Sequence, residues 1–264
     1  MTNYRISVLM GIYNCAPTLQ EALDSLYAQT FQNFKIILCD DGSNDDTLAI
    51  AERNANEHPG KVTVIKNERN MGLNYTLNHC LEYADTEYCA RMDGDDMSMP
   101  ERFAKEIRFL DEHPKYAVVS TPMIYFDEKG DFRKGKGNGE VKTKDFVLGT
   151  PICHAPSMSR TSVLKAVGGY SVSRKLLRVE DYHLWFKVFA AGHRLFMLDE
   201  CLYKMRDDRN AIARRDWLTR CNEAYVKHIG YKMIGLPWWY QIYSLVPILK
   251  YFVPKWLYSH FHKN

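Results

Sequence analysis

The sequence predicts an α/β fold, a mostly parallel sheet flanked by helices, with a helical tail rich in aromatic and basic residues behind it. Three observations predict it. Short apolar runs without helical period alternate with amphipathic stretches from residue 6 to residue 92. The connections carry turn-forming and acidic residues. From residue 236 onward the composition changes to tryptophan, tyrosine and proline.

ISVLMGI (6–12) is an apolar run of strand length. NCAPT leads from it into TLQEALDSLYAQT, where Thr18 and Glu21 have capping-box spacing and Leu19, Ala22, Leu23 and Leu26 recur at helical spacing. FKIILC (34–39) predicts the second strand, DDGSNDDT a loop with Ser43 or Asp45 as helix cap, and LAIAERNANEH the second helix. KVTVIK (61–66), LNYTLNHCLEYA (73–84) and EYCARM (87–92) continue the pattern as strand, helix and strand. Parallel strands need crossover connections, so this alternation gives a sheet covered on both faces. Ligands of such sheets bind at the carboxyl ends of the strands, which here carry Tyr13, Asp40, Asp41, Asn67 and Asp93. A helix is expected from Pro100 to about His113, then a β-rich run, YAVVSTPMIYF. The glycine- and lysine-rich segment 127–150 reads as a mobile loop, a lid or linker; its GKGNG has no strand before it and no helix after it, so it is not a dinucleotide fingerprint. TSVLKAVGGY and EDYHLWFKVFAAGH resume helical patterns, HRLFML and CLYKMR are further strands, and NAIARRDWLTRCNEAYVKHIG is a basic helix.

With 264 residues, 46% hydrophobic and 25% charged, the chain can bury a sizeable core. A formal charge of +3 is too mild to imply nucleic acid, and none is expected as a partner. From Lys204 onward the chain has 11 Lys/Arg against 4 Asp/Glu, an excess of +7 that leaves −4 for the residues before it. Positive charge therefore belongs to the tail. Seven scattered cysteines, Cys15, Cys39, Cys80, Cys89, Cys153, Cys201 and Cys221, without a CxxC pair, suit reduced buried thiols better than a disulfide framework or zinc site. MTNYRISVLM shows no signal-peptide pattern, so a cytoplasmic protein is expected.

Three constellations carry chemistry. RMDGDDMSMP places Asp93, Asp95 and Asp96 around Gly94 at the end of the fourth strand. Carboxylates are hard ligands for Mg²⁺ or Mn²⁺, which take their remaining ligands from water and substrate phosphates; the same run also suits a solvated turn before a helix. In CDDGSNDDT, Asp40 and Asp41 can accept hydrogen bonds from a ligand, or serve the loop alone. Tyr13 can stack on a base or simply pack. In RVEDYHLWFKVFAAGH, Glu180 and Asp181 open a helix whose Tyr182, Leu184, Trp185, Val188 and Phe189 form an apolar stripe. A carboxylate there serves either as a general base or as a favourable charge at the helix start.

These sites, in this order, resemble the family 2 glycosyltransferases of the GT-A (Rossmann-like) fold. The match runs through SVLMGIYN, CDDGSNDDT, RNMGLNYTLN, RMDGDDMSMPERF, HAPSMSRTSVLKAVGGY and EDYHLWFKVFAAG to about Arg209. The resemblance implies a catalytic domain over 1–209; the remainder, 210–264, is expected from its composition to be a helical, membrane-associating segment. It implies that Gly11, Tyr13 and Asp41 line a nucleotide pocket, with Asp41 on uracil. Asp93 and Asp95 match the DxD motif, the first also near ribose or pyrophosphate, the second on a Mg²⁺ or Mn²⁺ ion. Asp181 matches the catalytic base. Glu180, His154 and Arg206 fall where acceptor or phosphate contacts occur; Ala155 stands where members often have proline, and for His154 core packing and acceptor contact are both open. The implied reaction is single displacement with inversion from a nucleotide sugar, a UDP-sugar, to a glycan hydroxyl.

GLPWWYQIYSLVPILKYFVPKWLYSHFHKN is long enough to span a bilayer but broken by Pro237, Pro247 and Pro254 and charged at Lys250 and Lys255. Tryptophan, tyrosine and lysine favour the membrane interface, and the preceding Arg209, Arg214, Arg215, Arg220, Lys227 and Lys232 would be drawn to anionic lipid; packing back on the domain is the other reading. A lipid-linked acceptor in capsule, O-antigen or exopolysaccharide synthesis at the inner face of the plasma membrane would explain the tail. A catalytically idle sugar-nucleotide or membrane-binding module of the same fold is the alternative. A nucleotidyltransferase is disfavoured, because no glycine-rich basic phosphate loop follows the first strand.

Overall fold

The computed structural model describes residues 4–207 and 216–252. The first half is the predicted alternation: β1 (Ile6–Ile12), α1 (Ala16–Tyr27), β2 (Phe34–Asp40), α2 (Thr47–Glu57), β3 (Val62–Lys66), α3 (Leu73–Glu82) and β4 (Tyr88–Arg91). There follow β5 (Met97–Ser98), α4 (Arg102–Glu112), β6 (Tyr116–Ser120), β7 (Met123–Asp127), β8 (Gly130–Lys134), β9 (Gly139–Glu140) and α5 (Asp145–Leu148). The remainder is β10 (Met158–Arg160), α6 (Thr161–Ala166), α7 (Glu180–Ala190), β11 (Arg194–Met197), β12 (Tyr203–Arg206), α8 (Trp217–Met233) and α9 (Val246–Tyr251), with 3-10 turns at Arg174–Leu176 and Trp238–Leu245.

The main sheet has eight strands in the order β3-β2-β1-β4-β10-β6-β11-β9. β3, β2, β1 and β4 are parallel neighbours, β10 runs against both β4 and β6, and β9 runs against β11. A second, four-stranded sheet in the order β5-β12-β7-β8 stands beside it. Alternation along the strands divides the core. Val8, Met10, Ile36, Leu38, Ala90 and Met92 pack under α1 and α4, whereas Leu9, Ile37, Cys39 and Cys89 pack under α3, α6 and α7.

Several expectations are corrected. α1 starts at Ala16, before Thr18, and Thr18 and Glu21 form no capping box. The N–H groups of Cys15 and Ala16 are already held by Thr47 Oγ1 and Asp45 Oδ2, which fixes the earlier start. YAVVSTPMIYF breaks at Thr121 and Pro122 into β6 and β7, one in each sheet; proline lacks the N–H a continuous central strand needs. The segment 127–150, expected as a mobile loop, carries β8, β9 and α5. Its glycines and lysines are interrupted by apolar anchors, and Val141 and Phe146 are buried in the core.

The basic helix forms as α8, but it is also a packing element. Val226 and Tyr231 join the core, and Arg220 and Lys227 turn inward, Lys227 donating to Val147 O. The chain then doubles back along α8, bringing Tyr251 and Phe252 against Trp217. Arg209, Arg214, Arg215, Pro254 and Lys255 lie outside the described residues.

Candidate active site

β1 and β4 are neighbours in register, Leu9 beside Arg91, so residues 13–15 and 92–96 leave the sheet side by side at the carboxyl ends of the two strands. Between them lies a cleft of about 410 Å³, walled by Gly11, Tyr13 and Cys15 on one side, Asp93, Gly94 and Asp95 on the other, and Arg206 from β12. Five predicted residues, Gly11, Tyr13, Asp93, Asp95 and Arg206, thus share one cavity.

Asp93, Asp95 and Asp96 each present an oxygen within 4.8 Å of the others. Asp93 Oδ2 is paired with Arg91 Nη1, and the Asp93 N–H donates to Tyr203 Oη at 3.2 Å. Asp96, buried at 2% exposure, accepts the Arg206 N–H on Oδ1 at 2.8 Å, while its buried Oδ2 has no partner. Burial, then the charge of Asp93, raises the Asp95 carboxyl above its ordinary range. Asp96 is pushed well up by burial, then by Asp93 and Asp95. Crowded carboxylates with an unspent buried oxygen suit a hard divalent cation, so the residues present fit Mg²⁺ or Mn²⁺. Asp96 is a full member of the cluster.

Arg206 spans the cleft. Its Nε donates to Asp95 O at 3.0 Å and its Nη2 pairs with Glu21. Thr18 Oγ1 donates to Gly94 O at 3.0 Å. The two residues expected to cap α1 therefore brace the site. Asn14, in the left-handed region at φ 47°, accepts the Asn44 N–H on its Oδ1 and donates its own N–H to Ser43 Oγ.

Asp41 is buried beside this wall and does not line the cleft. Its Oδ1 accepts from Asn67 Nδ2 at 2.7 Å and Met71 N at 2.8 Å, and its Oδ2 from Gly72 N at 2.9 Å. It ties the loop after β3 to the end of β2. Gly42, at φ +74°, allows this closure, since a Cβ there would lie 2.8 Å from the Arg69 carbonyl carbon. Asp40 Oδ2 accepts from the N–H groups of Gly42 and Ser43, and its buried Oδ1 has no partner.

The acidic pair opens α7, which packs on the sheet face that carries Cys89 and, by strand alternation, Arg91. Asp181 is half-buried in the first turn. Glu180 is raised, chiefly by burial, with Asp181 adding and Arg91 opposing, and its Oε2 is buried without a partner. His154 Nε2 lies 2.7 Å from Tyr170 Oη, and its ring stands edge-on to Trp185 at 6.0 Å. Burial and then the Arg91 charge hold it well below the ordinary histidine range, so it is a neutral group. Sequence reasoning missed Arg91, Tyr203 and Glu21. For Arg91 a signal existed, a lone cation inside the apolar run EYCARM.

Fold and site together define a glycosyltransferase of the GT-A type. The chain belongs to glycosyl transferase family 2: the model of that family, described as Glycosyl transferase family 2, matches residues 7–167. It is similar to the putative glycosyltransferase EpsE of Bacillus subtilis (strain 168), 38% identical over 261 residues that cover 98% of this chain and 94% of that one. It is 26% identical over 187 residues, 71% of each chain, to the Escherichia coli UDP-Glc:alpha-D-GlcNAc-diphosphoundecaprenol beta-1,3-glucosyltransferase WfaP. Among solved structures, S. aureus TarS 1-349 in complex with UDP-GlcNAc superposes with a TM-score of 0.71 at 21% identity, covering 91% of this chain and 69% of that one, and so shares the fold.

Proposed function

We propose that the protein transfers a sugar from a nucleotide-sugar donor, a UDP-sugar, to a hydroxyl of a lipid-linked or growing glycan in surface-polysaccharide synthesis, with inversion at the anomeric carbon. The observation that carries this reading is the carboxylate cluster set against the Tyr13–Arg206 cleft, with the Arg91 charge acting both on that cluster and on Glu180 in the first turn of α7. The donor and acceptor in the name of the relative WfaP, a UDP-sugar and a diphosphoundecaprenol-linked sugar, support both substrate classes.

In this reading Tyr13 stacks on the base. Asp41 organises the wall behind it. Arg206 faces the phosphates. A Mg²⁺ or Mn²⁺ held by Asp93 and Asp95, with Asp96 behind them, would neutralise the charge that develops on the departing diphosphate. Asp181 takes the proton of the attacking hydroxyl on the face opposite the nucleotide. Attack from that face requires no covalent sugar intermediate and no enzymic nucleophile. His154 and Glu180 shape the acceptor side.

We further place the protein at the inner face of the plasma membrane, with 1–209 as the catalytic unit and 210–264 as the associating segment. No helix among the described residues is long and apolar enough to cross a membrane. Contact falls to the return segment, where Trp238, Trp239, Ile242, Leu249 and Phe252 are exposed near the exposed Lys232 and Lys250. Such a mixture suits the interface of an anionic bilayer.

A screen of nucleotide sugars with Mn²⁺ and with EDTA tests the function. Release of nucleoside diphosphate from one base class, abolished by EDTA, is expected. Release that ignores EDTA sinks the metal assignment, and no release from any donor sinks the transferase reading in favour of an idle binding module.

A further inference from the structure

Arg91 ends β4. Because strand residues alternate between faces, and Cys89 lies in the layer beneath α3 and α7, Arg91 enters that layer too. Its side chain is 7% exposed. Arg102 Nη2 on its carbonyl and Ser157 O on its N–H fix its backbone. One Nη1 is spent on Asp93 Oδ2, and Nε has no partner. Its charge acts on Asp95 and Asp96 on the donor side and on His154 and Glu180 on the side of α7.

A buried guanidinium that already pairs one carboxylate of a cluster competes with any second cation for that carboxylate. We infer that Arg91 is a positioning residue with that role: it fixes Asp93 and, as the cluster's internal counter-charge, keeps affinity for a bare divalent cation low until donor phosphates add their oxygens. Metal entry is thereby tied to donor entry. Arginine suits the task because it stays charged when buried and its planar fork holds a carboxylate in a set orientation. The inference rests on the metal-dependent reading above.

The test uses the full chain and Mn²⁺ alone, titrated by electron paramagnetic resonance, then repeated with UDP. The wild type is expected to bind Mn²⁺ at least about tenfold tighter with UDP, because phosphate oxygens complete the coordination. Arg91→Met is expected to bind Mn²⁺ alone at least about fivefold tighter than the wild type, because the competing charge is gone. Its turnover falls all the same, since Asp93 is no longer held. In an Asp93→Asn background, Arg91→Met should lose most of this tightening. Equal or weaker binding of Mn²⁺ alone by folded Arg91→Met overturns the inference and leaves the metal reading standing. Should Arg91→Met not fold, the wild-type comparison decides: Mn²⁺ bound as tightly without UDP as with it overturns the inference. No Mn²⁺ binding by the wild type in either condition overturns both.

Discussion

Gly94→Ala adds one methyl group between Asp93 and Asp95. A Cβ on Gly94 would lie 2.8 Å from Cys15 Sγ, on the opposite wall of the cleft, and 3.2 Å from Ile12 Cγ2, in the core at the end of β1. Relaxing the closer contact to ordinary packing distance requires a shift of about 0.7 Å or more. Neither wall moves freely. Thr18 Oγ1 holds the Gly94 carbonyl, and Thr47 Oγ1 holds the Cys15 N–H at 2.8 Å. Overpacking of this kind costs about 1–3 kcal/mol, which for a chain of this size is a fall in Tm of about 2–6 °C. The larger effect should be on Mn²⁺ binding with UDP, because the displaced turn carries Asp93 and Asp95. Cys15→Ala removes the sulfur and leaves a contact of 3.6 Å from the Cys15 Cβ, so the double variant should recover part of both losses. Differential scanning calorimetry and Mn²⁺ titration measure them. A Gly94→Ala protein that melts and binds as the wild type, or a double variant no better than the single, refutes the reasoning.

Asp181→Asn should keep donor and metal binding and lower transfer by about 10²–10⁴-fold; transfer at the wild-type rate would remove Asp181 as the base. Glu106, paired with Arg102 inside α4, is raised by burial, against the pull of Arg102, to about 7. The folded chain therefore holds a proton that the unfolded chain releases near pH 4.5, so this contribution is complete below that pH and lost as pH rises through about 7. The stability of the wild type relative to Glu106→Gln should fall between about pH 5 and 7 by about the slope one proton gives and level off above that; urea melts with a flat difference across that window would contradict it. Replacing exposed Trp238, Trp239 and Ile242 by serine should leave the melting temperature near that of the wild type and abolish co-flotation with phosphatidylglycerol vesicles; persistent flotation would move the membrane contact elsewhere.

The parallel core from β1 to β4 was readable because each element is long enough to show its period. β10 was not, since three residues at Met158–Arg160 carry no pattern, and the second sheet depends on pairings such as Lys204 with Met97 that no local run announces. The cleft was legible where acidic and aromatic residues stand at strand ends, as at Tyr13, Asp93 and Asp95. Asp40 and Asp41 show the limit: adjacent carboxylates face opposite ways, and only the folded loop shows that Asp41 is spent on Asn67, Met71 and Gly72. Arg91 was hidden for a related reason, because a lone sequence shows the charge but not its partner.

The bond from the Arg206 N–H to Asp96 joins residues 110 positions apart, and it has a consequence for the nascent chain. Until β12 is synthesised and paired with β5, Asp96 lacks that donor and the cleft lacks its arginine. A fragment bounded by residues 7–167, the stretch that carries the family signature, would hold the DxD residues yet leave the most buried carboxylate of the cluster uncompensated. Competence for donor binding should therefore appear abruptly in a truncation series, as the C-terminus passes Arg206, rather than growing with the length of the sheet.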